Sequence, residues 1–292
     1  DKVYFAYSMP YTYTDLLKDL KYYECLNKNY IHRNTLCRTL AGNKCEYLVI
    51  TSKNKSKNDN KKGVVITAWV HPGESISSWM MRGVLNFLTG DSPEAVILRD
   101  HFVFKVIPML NPDGVINGNY RCGLCGGDLN RWFKTPSKIV HPTVFALKWL
   151  CWEFKEEWEV ALFVDLHGHS RKKNIFMYGN NIQTDWAGTW IFPFIMGKLL
   201  DYFSYNYSWF NYSWFKEATA RISLFKELKI PNIFTMEASF LGADTGDLSG
   251  KHFNTSHFEK AGMVLFEALI IYAGINIWSK LKEYHLPEFQ EE

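Results

Sequence analysis

The run Val64-Val65-Ile66-Thr67-Ala68-Trp69-Val70 passes directly into His71-Pro72-Gly73-Glu74 and then into Ser75–Leu88. These three pieces read as a strand, a tight loop and a helix, the repeating unit of an α/β protein. Working outward, Tyr47–Thr51 and Phe102–Leu110 read as strands and Pro142–Phe154 as a helix. Val160–Leu166 and Asn174–Gly179 follow as strands, Glu217–Leu228 as a helix and Asn232–Glu237 as a strand. Ser256–Ala273 is the last helix, with Thr255 and Ser256 as candidate N-caps. The alternation predicts a mixed β-sheet flanked by helices on both faces. In such sheets, ligands bind at loops beyond the C-terminal ends of the strands. No long linker splits the chain, so one main domain is the simplest count.

Composition narrows the function classes. Of 292 residues, 47% are hydrophobic and 22% charged, which excludes a disordered chain. Lys plus Arg number 33 and Asp plus Glu 30, and a net charge of +3 is too small to argue for a nucleic-acid partner. Ala261–Trp278 is the most membrane-like stretch, but Glu267 in its middle makes it a buried terminal helix rather than a span. Six cysteines (25, 37, 45, 122, 125 and 151) are sparse in so large a chain, and no apolar leader opens it. Reduced thiols in a cytosolic protein are therefore expected. Cys122 and Cys125 have redox or zinc spacing, but no second pair accompanies them. The glycosylation-type triplets at Asn54, Asn206, Asn211 and Asn254 are read as inert.

Two local features stand apart. Ser52–Gly63 carries Lys53, Lys55, Lys57, Lys61 and Lys62 and reads as a solvated connection between two strands. The pentad NYSWF occurs twice in tandem, at 206–210 and 211–215, and its aromatic spacing predicts a strand with an aromatic face.

Four motifs at strand ends carry chemistry. His71 and Glu74, three apart, can bite one metal ion, and an imidazole plus a carboxylate suits zinc. Asp165-Leu166-His167-Gly168-His169-Ser170 offers a second histidine; on spacing alone either His167 or His169 serves. Asn111-Pro112-Asp113-Gly114 leads through Arg121 to Asp128, Asn130 and Arg131, and the planar guanidinium fork binds carboxylates. Glu237 ends an apolar strand, where a carboxylate is costly unless used or paired.

Taken in order, HPGE (71–74), NPDGVINGNYRC (111–122), DLNR (128–131), DLHGHSRKKNIFMYG (165–179) and TMEASF (235–240) resemble the cytosolic carboxypeptidases, which trim glutamates from tubulin tails. The resemblance covers residues 64–272 and implies a zinc carboxypeptidase-like fold. It implies one Zn²⁺ per chain on His71, Glu74 and His167, leaving His169 a neighbour. Asp128 matches the carboxylate that orients a ligand histidine, Arg121 the group that polarises the scissile carbonyl, and Glu237 the general base. Asn130 and Arg131 match the pair that grips the terminal carboxylate. Arg221, beside Ile222 fifteen residues before Glu237, is the candidate for meeting an acidic side chain, with a helix-capping role as its alternative. Lys172 and Lys173 add positive charge that would draw acidic tails.

The resemblance also implies residues 1–15 as the end of an N-terminal β-sandwich domain, with Val3–Tyr7 its last strand, and 16–292 as the catalytic domain. The expected partners are acidic C-terminal tails such as tubulin's, with neither nucleic acid nor membrane. The expected location is the cytoplasm, with microtubules or cilia as the associated structures. Trp132-Phe133 departs from the family's usual Gln-aromatic pair, and no tyrosine is assigned to cap the pocket. Two other readings are a zinc peptidase of different C-terminal specificity (tyrosine or apolar) and a non-catalytic microtubule-associated module. The filled ligand, arginine and Glu237 positions argue against the module.

Overall fold

A computed structural model describes residues 2–26, 29–53, 61–181, 186–211 and 213–276. Among these residues seven strands form one sheet: β1 (Ile31–Arg38), β2 (Lys44–Ile50), β3 (Lys62–Ala68), β4 (Phe102–Ile107), β5 (Val160–His169), β6 (Ile175–Tyr178) and β7 (Ile233–Ser239). Their order is β1-β2-β4-β3-β5-β7-β6. The inner four are parallel, and antiparallel strands close both sides. Eight α-helices accompany them among the described residues: α1 (Tyr13–Leu26), α2 (Ile76–Leu88), α3 (Pro93–His101), α4 (Pro112–Asn117), α5 (Pro142–Glu157), α6 (Trp186–Leu199), α7 (Ala220–Leu228) and α8 (Thr255–Tyr272).

The period of two in the central strands splits the core. Val64, Ile66 and Ala68 of β3, with Leu162, Val164 and Leu166 of β5, pack with α2, α6 and α8. Val65 and Phe163 point the other way, among Val144, Leu147 and Phe154 of α5 and Leu224 and Leu228 of α7. The predicted mixed sheet with helices on both faces is the fold observed. Glycines let α2 and α8 touch backbone to backbone: a Cβ on Gly83 would lie 1.9 Å from the Glu259 carbonyl oxygen, and one on Gly262 2.0 Å from that of Met80. The stretch from Ala261 is accordingly the buried helix α8, to the extent that it is described; Trp278 lies outside the described residues. Among those residues no helix is long and apolar enough to cross a membrane.

The chain leaves β3 toward β4 on one side and returns to β5 on the other. The switch point therefore lies between β3 and β5, and a crevice opens beyond their C-terminal ends.

Several local expectations are corrected. Among the described residues Val3–Tyr7 pairs with no strand, and Val3, Tyr4 and Phe5 project into solvent. The NYSWF copies do not form an aromatic strand. An offset of five is odd, so copies in one strand would face opposite sides. The first copy instead begins in a 3-10 turn, Tyr205–Tyr207, with Ser204 as its cap. Phe210 is buried whereas Phe215 is exposed, and Tyr212 lies outside the described residues. Lys61 is not solvated. Its buried ammonium donates to Thr51 Oγ1, Ser52 O and Arg99 O at 2.8, 2.7 and 3.0 Å, fastening β3 to the end of β2. Lys53 is exposed, while residues 54–60, with Lys55, Lys57 and Asn54, lie outside the described set. The cap of α8 is Asn254, one residue before the two candidates, in a reciprocal box with His257.

Candidate active site

Trp69 adopts the left-handed region (φ 61°), uncommon for a bulky side chain, and this ends β3. Its indole stays on the α2–α8 side of the core and donates to Pro72 O at 2.7 Å, so the loop folds back over the ring. Gly73 then lies against the chain at Tyr120: its N–H donates to Tyr120 O at 2.7 Å, and a Cβ there would stand 2.6 Å from the same oxygen. This close approach brings the 71–74 loop beside Arg121. Asn111 fixes the loop from below, donating to Val70 O and capping α4 through Gly114 N–H, both at 3.0 Å.

Glu74 is the bridge of the site. One carboxylate oxygen meets His71 Nδ1 at 2.8 Å; the other meets His167 Nδ1 at 3.0 Å and accepts from Gly168 N–H at 3.0 Å. Each imidazole is held at its far nitrogen by a second carboxylate. His71 Nε2 lies 3.0 Å from Asp128 Oδ1, and His167 Nε2 lies 2.7 Å from Asp165 Oδ2. Asp165 in turn accepts from Thr67 Oγ1 at 2.7 Å, across the β3–β5 pairing. His167 is thus on β5, not in a loop after it, and parity places it on one face with Asp165.

One ligand atom from each of His71, Glu74 and His167 fits within 4.8 Å of the others. Two imidazole nitrogens and a carboxylate are the donor set of a catalytic zinc site, and the carboxylates behind both rings fix the tautomer that presents Nδ1. The charges agree with a cation here. Burial opposes protonation of His71 and His167, yet the surrounding carboxylates raise both rings above the usual histidine range. Glu74 and Asp128 are correspondingly held below the usual carboxylate range despite burial. His169, the alternative ligand, turns its Nδ1 to the backbone N–H groups of Arg171 and Lys172 at 3.2 and 2.9 Å. It lines the cleft but lies outside the triad.

Glu237 stands beside His167 in the β5–β7 register. Its Oε2 is shut off from solvent and has no hydrogen-bond partner, and desolvation pushes the carboxyl up to about 7. Arg121 spends Nε and one terminal nitrogen on Asp128 Oδ2, at 2.9 and 2.8 Å, and holds the other 4.0 Å from Glu74. Asn130 Oδ1 accepts from Ala220 N–H at 2.9 Å, which leaves its NH₂ group as the donor for a ligand. Arg131 donates to Asn130 O at 2.9 Å and is only 3.8 Å from Asp128. Arg221 is buried at the start of α7, where it donates to Gly179 O and, at 2.8 Å, to Asn180 Oδ1. Burial lowers its guanidinium to about 10. Lys172 sits over the Phe176 and Tyr178 rings and donates to Tyr207 O, while Lys173 is exposed.

The triad, His169, Glu237, Arg121, Asn130, Arg131 and Arg221 line one cleft of about 430 Å³; Asp128, Asp165, Lys172 and Lys173 do not. The cleft adds Tyr178, Lys216 and Trp209 of the first NYSWF copy, none of which the sequence reading placed at the site. It also missed Asp165 as the partner of His167. The i, i+2 spacing in a strand was the available signal for Asp165, whereas Tyr178, Trp209 and Lys216 carry none.

Known proteins extend this picture. The chain is 44% identical over 280 residues to cytosolic carboxypeptidase 2 of Xenopus tropicalis, covering 93% of this chain and 29% of that protein. It is 42% identical over 284 residues to cytosolic carboxypeptidase 2 of Homo sapiens, covering 92% of this chain and 31% of that one. It thus spans under a third of the length of these relatives. The fold is similar to that of a metallo-carboxypeptidase from Burkholderia cenocepacia, with TM-score 0.79 and 23% identity over 91% of this chain and 70% of the other. Residues 17–215 match the zinc carboxypeptidase family, and with the triad inside that span and the fold in agreement, the chain belongs to that family.

Proposed function

We propose that the protein is a zinc-dependent carboxypeptidase that removes C-terminal glutamate from acidic protein tails, tubulin's among them, in the cytoplasm. The observation that carries this reading is a single cleft shared by the zinc triad, the Glu237 carboxyl with its unpartnered Oε2 and three guanidinium groups. Held by His71, Glu74 and His167, zinc supplies a Lewis acid that polarises a carbonyl and acidifies water.

The chain's own residues do the rest. Asn130 and Arg131 bind the substrate's free α-carboxylate, which makes the enzyme an exopeptidase. Arg121, kept in place by Asp128, donates to the oxygen that gains charge as the scissile carbonyl is attacked. Glu237 takes the proton of the attacking water and returns it to the leaving amine, and its raised proton affinity suits both transfers. Arg221 has spent one terminal nitrogen on Gly179 and Asn180 and offers its remaining donors to the side-chain carboxylate of the departing residue.

The test compares one Glu-ended peptide as the free acid and as its C-terminal amide, with and without chelator. Release of glutamate from the free acid alone, abolished by chelator and restored by zinc, is the expected result. Equal cleavage of the amide would overturn the exopeptidase reading.

A further inference from the structure

Away from the cleft, the β1–β2 hairpin places two thiols opposite one another. Cys37 and Cys45 are register partners on antiparallel strands, next to the bulge between Thr35 and Cys37. Directly opposed residues share a face of the sheet, with Cβ atoms about 4.5–5.5 Å apart, and a disulfide needs about 3.5–4.5 Å. A small closure therefore suffices to join them. The hairpin turn is clamped: Thr39 Oγ1, Ala41 N–H and Asn43 Nδ2 all donate to the Asp113 carboxylate, at 2.5, 3.0 and 2.9 Å. The thiols are thus held in apposition by a rigid mount.

Their surroundings differ. Cys45 is wholly buried, with its Sγ 3.5 Å from Met109 O. Cys37 is half-buried and reachable from solvent. The neighbouring Cys45 lowers the Cys37 thiol below the usual range, while the same pairing and burial raise Cys45 well above it. A reachable thiol with thiolate character beside a shielded one is the arrangement of an attacking and a resolving cysteine.

We propose that Cys37 and Cys45 form a peroxide-sensitive dithiol site, with Cys37 attacking and Cys45 resolving. The Cys37 thiolate attacks one oxygen of hydrogen peroxide and the O–O bond breaks. This leaves a sulfenic acid on Cys37, and the departing hydroxide takes up a proton as water. Cys45 Sγ then attacks the Cys37 sulfur. The S–O bond breaks, the disulfide forms, and a second water leaves with the Cys45 proton. Two thiols lose two electrons in all, and peroxide gains them. A bond spanning neighbouring strands is readily reduced again by a dithiol.

The test treats the zinc-loaded protein with stoichiometric hydrogen peroxide, alkylates the remaining thiols and maps the digest by mass spectrometry. A cross-linked peptide joining Cys37 and Cys45, released by dithiothreitol, is expected. In Cys45→Ala, which adds no polar group to the buried position, dimedone should label Cys37; in Cys37→Ala it should leave Cys45 unlabelled. Should either variant fail to fold, brief dimedone competition in the parent protein reads the same order of attack. Oxidation at Cys25 or between Cys122 and Cys125 with the Cys37–Cys45 pair still reduced, or dimedone on Cys45, would overturn the proposal.

Discussion

Zinc affinity should depend on Asp165, a residue that would not touch the metal. Asp165 is 1% exposed and splits its carboxylate between His167 Nε2 and Thr67 Oγ1, each at 2.7 Å. In Asp165→Asn the amide oxygen can still face the ring and its NH₂ the Thr67 hydroxyl, which can turn to accept. Shape is kept, but the charge behind His167 is lost. A hydrogen bond to a charged group contributes about 1.5–3 kcal/mol, and supporting partners of metal ligands change affinity about 10–100-fold. We therefore expect about a tenfold loss of zinc affinity for Asp165→Asn. Asp165→Ala also strands a buried ring N–H and should approach a hundredfold. Thr67→Val, which removes only the donor to Asp165, should cost about 1 kcal/mol or less. Competition for zinc against a chromophoric chelator at fixed pH measures all three. Parent-like zinc affinity in both Asp165 variants, with the fold intact by circular dichroism, would refute the reasoning.

Other consequences follow from the same geometry. Glu237→Gln should lower kcat about 10²–10⁴-fold while metal analysis finds zinc content unchanged, since Glu237 is outside the triad. Arg221→Met should reduce the kcat/KM preference for a terminal Glu over Leu by about 10–100-fold, the worth of one buried charge-assisted contact. An unchanged ratio would leave Arg221 a helix-start residue alone. Gly83→Ala places a methyl group 1.9 Å from the Glu259 carbonyl oxygen, and prying α2 from α8 should cost about 3 kcal/mol or more, read as a lowered Tm.

The central strands were legible because they are long apolar runs bounded by turns, and α2, α5 and α8 because their periodicity is sustained. Elements at the margins were not. β1 is a polar, half-exposed edge strand, IHRNTLCR, without alternation to betray it. α6 is apolar nearly throughout and contains Pro193, so it offers neither a polar face nor an uninterrupted pattern. In α3, Ser92 and Pro93 gave an N-cap signal that went unread. The site follows the same logic. His71 and Glu74 sit in one local motif, and Arg121, Asp128, Asn130 and Arg131 in another, so short stretches carry them. Thr67 and Asp165 are 98 residues apart and meet only through the β3–β5 register. Tyr178 and Lys216 join the cleft through tertiary packing alone. Spacing alone left His167 and His169 open, since both lie on one face of β5; in the structure the His167 ring meets Glu74, while His169, the last residue of the strand, turns its ring to the backbone of the next turn.

The most direct test of the central claim is C-terminal readout by mass spectrometry. A mixture of peptides ending in Glu runs, Tyr, Leu and Lys would be incubated with the protein, with and without chelator. Loss of Glu alone, blocked by chelator, is the predicted result. Loss of Tyr or Leu in place of Glu would contradict an acid-recognising cleft around Arg221, even with the zinc chemistry intact.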